Sequence, residues 1–91
     1  MKEIKIVKIA PVEGAKVEKN NGIGAHRYFV PVTYHLEDGT TVTGRLRRHL
    51  LRDIKAELAT LPKEVNNIVA CFNDKGEFWG TQVSYNIGRQ N

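Results

Sequence analysis

Five cations within one stretch of eleven residues are the clearest chemistry in this chain. Arg45, Arg47, Arg48, Arg52 and Lys55 stand against Asp53 alone, a local charge of +4 that equals the formal net charge of all 91 residues. The remaining nine basic and nine acidic residues cancel. Charge focused in this way marks a place for an anion, whereas evenly spread charge serves solubility. Guanidinium groups grip phosphate and carboxylate oxygens in pairs. With a helix expected from about Arg45, three arginines would crowd its N-terminus, where free backbone N–H groups already favour anions. Arginines there oppose helix stability, so the pattern reads as a phosphate or carboxylate site. The plainer reading is a solvated basic face, its arginines paired to Glu37 or Asp38.

Single-strand binders stack bases on exposed rings beside such charge. Seven aromatics are spread over the chain. Tyr28 and Tyr34 share an alternation with Val30 and Val32, and Trp79 shares one with Val83 and Ile87, so these read as core. Phe29 and Phe78 are left to point outward. Phe29 and Arg27 therefore join the five cations as candidate anion- and nucleic-acid-binding residues.

Other chemistry is weakly supported. Gly22-Ile23-Gly24-Ala25-His26-Arg27 lacks the Lys, the Ser/Thr and the following helix of a P-loop, so it reads as a loop. His26, His35 and His49 have no metal-ligand spacing, and no metal or cofactor is expected. Cys71 sits in an apolar run, a setting for a packed thiol rather than a nucleophile. A metal-free nuclease using His35 or His49 with an arginine is chemically conceivable, but no spacing organises it. No catalytic residue is assigned.

The elements that must position these groups follow from periodicity and turns. Residues 4–12 nearly alternate β-branched residues with lysines, a half-exposed strand whose far end Pro11 makes an edge or exit. Residues 13–26, rich in Gly and Asn, read as a long loop with a short extension near Val17. Tyr28 to Leu36 has a strict period of two, Glu37-Asp38-Gly39 is a turn, and Thr40 to Thr43 returns as a hairpin partner. From about Arg45 a helix is expected. Leu50, Leu51, Ile54, Leu58 and Leu61 fall within about 100° on a helical wheel, and Pro62 ends it. On that helix Arg48, Arg52 and Lys55 form a basic ridge. Lys63 to Asn67 connects to an apolar strand, Ile68 to Phe72, which turns at Asn73-Asp74-Lys75-Gly76 into a last strand.

The order is β-β-β-α-β-β, an α+β class built on a mostly antiparallel five-stranded sheet. The order also resembles that of the OB-fold, a partly open five-stranded barrel whose helix follows its third strand; an open sheet crossed by one helix satisfies it as well. Ninety-one residues suffice for a single small domain spanning 1–91. At 41% apolar and 26% charged residues, it lies well away from disordered compositions. A core this small would gain from association of two copies. One cysteine excludes an intrachain disulfide. The charged first residues carry no signal-peptide block, and no apolar run reaches membrane-spanning length, so a cytoplasmic protein without a membrane partner is expected.

Two function classes follow. The first is a small non-enzymatic nucleic-acid-binding domain that prefers single-stranded DNA or RNA, because no second helix completes a helix-turn-helix. The alternative is a protein-binding module or inhibitor, of the kind carried by phages and mobile elements, docking its basic ridge or an edge strand on an acidic surface.

Overall fold

In the computed structural model, residues 2–19 and 27–83 are described. The Gly22–His26 loop and Ile87 lie outside them. The strands are β1 (Lys2–Pro11), β2 (Glu18–Lys19), β3 (Tyr28–Leu36) and β4 (Thr41–Arg48), followed by helix α1 (Leu51–Ala59), then β5 (Lys63–Phe72) and β6 (Phe78–Val83). All pairings are antiparallel. β3 lies between β4 and β1, and β1 between β3 and β5, with β6 outside β5. β2 continues the line of β1 along the first residues of β3. The sheet curls into a partly open, OB-like half-barrel with one helix.

Alternation builds the interior. Along β3, Val30, Val32, Tyr34 and Leu36 are buried while the residues between them are half-exposed. β1 keeps its isoleucines inside by a bulge. Its register with both neighbours shifts between Ile6 and Lys8, so Ile6 and Ile9 can face the same core on either side of Val7. Ile6, Val32, Tyr34, Leu36 and Ala70 form the buried centre, ringed by residues that include Val42, Leu46, Ile68, Phe72 and Phe78.

Both expected hairpins are present. Gly39 (φ 90°) and Gly76 (φ 82°) take the left-handed conformation that closes each turn. The Asn73 side-chain oxygen accepts the Lys75 and Glu77 backbone N–H groups at 2.9 Å each. Asp38 Oδ1 accepts the Thr40 hydroxyl at 2.6 Å and its N–H at 3.0 Å.

β4 and β6 border the opening, and each has one strand partner among the described residues. Tyr34 spans toward β6: its ring lies 6.1 Å from that of Phe78. Gly44 makes this possible, because a Cβ there would overlap the Tyr34 ring. No helix among the described residues is long and apolar enough to cross a membrane.

Four expectations are corrected. The helix begins at Leu51, so Arg45, Arg47 and Arg48 belong to β4 and there is no arginine-crowded helix start. The period of two simply continues, with Val42, Gly44, Leu46 and Arg48 on the inner side. Of the expected helical stripe, Ile54 is buried and Leu58 half-buried, whereas Leu50 and Leu51 are exposed. β5 starts at Lys63, so the supposed connection is strand, held by pairing with Lys8 and Ile9. Phe78 points inward and Trp79 is 59% exposed. A register shift between Cys71 and Phe72 leaves Trp79 unpaired and reverses the expected faces.

Candidate functional site

The pleat sorts the basic cluster. Arg45 and Arg47, two apart on β4, are exposed on the outer face, while Arg48 turns to the opposite, half-buried side. Paired residues of adjacent strands share a face. Phe29 lies opposite Arg47, and Pro31 opposite Arg45. The Arg45 guanidinium carbon then sits 5.1 Å from the centre of the Phe29 ring, a cation–π contact. Arg27, exposed, directly precedes β3. The structure thus joins Phe29, Arg45 and Arg47 on one sheet face, with Arg27 at its end.

Arg48 has other work. Its Nη2 donates to Glu57 Oε1 at 3.3 Å, and Lys63 Nζ donates to Glu57 Oε2 at 2.7 Å. Glu57 therefore clamps α1 to β4 and β5. The Lys63 hydrogen bond, with the Lys63 and Arg48 charges, holds its carboxyl below the usual range against the opposing effect of burial. The expected partners Glu37 and Asp38 do not take this role.

Arg52 and Lys55 are exposed on α1. Arg52 approaches Asp53 at 3.9 Å with both side chains largely in solvent, a contact worth little. Asp53 lies in the first helical turn, where a carboxylate complements the exposed N–H groups. Leu50 at the N-cap offers no side-chain cap. Of the four arginines expected around this helix start, only Arg52 lies on α1. Among the described residues, no carboxylate pairs with Arg27, Arg45, Arg47 or Lys55.

Two exposed residues, one beside Phe29 and one on distant β6, escaped the sequence reading. Glu18, exposed on β2, lies opposite Phe29 on the side away from Arg47. Only the pairing of a two-residue strand places it there, and no local pattern signals it. Trp79 is the most exposed of the large hydrophobic residues among those described, and the bulge turns it out.

Cys71 has the packed setting expected of it. Cys71 is buried, and burial, aided by the Glu3 charge, pushes its thiol up and away from the thiolate. Its thiol faces Gln82 Oε1 at 3.9 Å. Among the described residues no three His, Cys, Asp or Glu side chains group as metal ligands. A groove of about 540 Å³ opens at the far end of β4 from Arg47, between Thr40–Val42, Phe72–Asp74 and Ile4. It holds little charge beyond Lys2 and Asp74. The chain matches no protein-family model, no curated protein and no solved structure.

Proposed function

We propose that this chain is a small non-enzymatic nucleic-acid-binding domain that takes single-stranded DNA or RNA across the outer face of β3 and β4. The observation that carries the reading is the Phe29 ring with the Arg45 cation over it and Arg47 opposite it, on an exposed face where neither arginine has a carboxylate partner among the described residues. A ring offers any base a stacking surface, and unpaired guanidinium groups offer the phosphates their counter-charge. The architecture supports the same face: partly open barrels of this topology commonly bind oligonucleotides on their second and third full strands, which here are β3 and β4. Arg27, Arg52 and Lys55 extend the positive field around it, whereas Arg48 serves the Glu57 clamp.

The test is a titration with labelled single- and double-stranded oligonucleotides at two salt concentrations, wild type against Arg45→Glu/Arg47→Glu. Salt-dependent binding of the single strand, removed by the double reversal, is the expected result. A folded protein that binds neither oligonucleotide at low salt would sink the proposal.

A second reading has one observation in its favour. β4 has a free edge among the described residues and carries Arg45 and Arg47 along it, which suits an acidic protein segment added as a strand. Nuclease-resistant association with one acidic protein, without oligonucleotide binding, would select it.

A further inference from the structure

β2 has only two residues, yet its register determines what flanks the Phe29 ring. Glu18 pairs with Phe29 from one side and Arg47 from the other. With strands about 4.8 Å apart, carboxylate, ring and guanidinium form one row on a single sheet face. Glu18 and Arg47 are both exposed and make no ion pair with each other, because the ring strand separates them. A carboxylate that only offset the arginines would sit beside them. This one sits where it repels backbone phosphate and can face the edge of a stacked base.

We propose that this row prefers guanine, an inference that rests on the single-strand reading above. A base layered on the Phe29–Arg45 stack has Glu18 on one flank and Arg47 on the other. Guanine alone among the common bases offers two adjacent donors, N1–H and the N2 amine, next to two adjacent acceptors, O6 and N7. Glu18 accepts from the first pair and Arg47 donates to the second, each in bidentate fashion. Adenine and cytosine set an acceptor nitrogen beside their amine, which would confront the carboxylate. Thymine and uracil set one N–H between two carbonyls and have no second donor. Arg45, over the ring, adds its guanidinium to the surface on which the base stacks.

The experiment uses the full chain and fluorescently labelled thymine decamers carrying one central guest base. A guanine guest should bind about tenfold tighter than thymine, adenine or cytosine guests, the lower part of the range for bidentate base contacts. An inosine guest, lacking the N2 amine, should lose most of that advantage. Glu18→Gln should erase the guanine preference while all-thymine affinity stays constant or rises, since the exposed site tolerates the exchange. Salt-dependent binding of all decamers with equal affinity, or a preference unchanged in Glu18→Gln, would overturn the guanine assignment and leave the binding face standing. Absence of binding by every decamer at low salt would overturn both.

Discussion

The Arg45 guanidinium carbon lies 5.1 Å from the centre of the Phe29 ring, although the two residues are not register partners: Arg45 is opposite Pro31, and Phe29 opposite Arg47. The diagonal contact sets the Arg45 cation over the ring on the exposed outer face of the sheet. Ring and cation together offer a nucleobase a surface on which to stack.

Removing the platform should separate binding from stability. Phe29→Ala is expected to weaken single-strand binding by about 1–3 kcal/mol, the range for one lost base stack. Arg45→Ala should lower affinity while changing stability by less than about 1 kcal/mol, as for an exposed cation–π pair. Fluorescence anisotropy and urea unfolding on the same samples read the two quantities.

The strand arginines should matter more than the helix cations. Arg45→Glu/Arg47→Glu and Arg52→Glu/Lys55→Glu make identical changes in net charge. The first pair should abolish tight binding, and the second should weaken it several-fold through the longer-range field. Equal losses, measured at one salt concentration, would move the interface onto α1.

Gly44 should resist any side chain. A Cβ at this position overlaps the Tyr34 ring, so Gly44→Ala forces a core aromatic to move and should cost about 1–3 kcal/mol. In a double-mutant cycle, Tyr34→Ala should cost less in the Gly44→Ala background than in wild type. Chemical denaturation with unchanged m values provides the four stabilities.

Glu57 should make stability fall with acid. Its folded-state pKa lies below the ordinary value of 4.5, chiefly through the Lys63 hydrogen bond. The clamp is therefore fully present above about pH 5 and is lost as pH falls through that lowered value, because the unfolded chain takes up the proton first. Glu57→Gln should be less stable than wild type by about 1 kcal/mol at neutral pH, and the gap should close as the pH falls through the lowered Glu57 value. Thermal unfolding of both proteins across this range reads the crossover.

Trp79 and Phe78 should behave oppositely despite being neighbours. Phe78 packs on Phe72 and Tyr34 at ring distances of 5.8 and 6.1 Å, so Phe78→Ala should cost about 3 kcal/mol or more. Trp79→Ser should cost under about 1 kcal/mol. Trp79 fluorescence in the folded wild type should resemble that of a solvated indole and should be readily quenched by iodide.

Local chemistry made much of this architecture legible. The alternation from Tyr28 to Leu36 and the Asp38-Gly39 turn specify a hairpin from within one stretch of chain. The Asn73–Gly76 turn specifies the second in the same way, its Asn73 side chain closing the loop on its own backbone. α1 closes at Ala59, ahead of Pro62 and two residues short of the expected Leu61. The concentration of cations between Arg45 and Lys55 is likewise plain in the sequence alone.

What those cations face was decided by pairing between distant segments. Arg45 to Arg48 suits a helix or a strand locally, and eight residue pairs with β3 select the strand. That choice divides the cluster, sending Arg45 and Arg47 to the outer face and Arg48 to Glu57. The register shift between Cys71 and Phe72 exchanges the fates of Phe78 and Trp79, because one unpaired residue inverts a period of two. Glu18 reaches Phe29 through a two-residue strand whose existence depends on β3 already being in place. Turns and periodicity act between near neighbours and are written in the chain; register and bulges are set by which segments meet across the sheet, and only the folded barrel determines them.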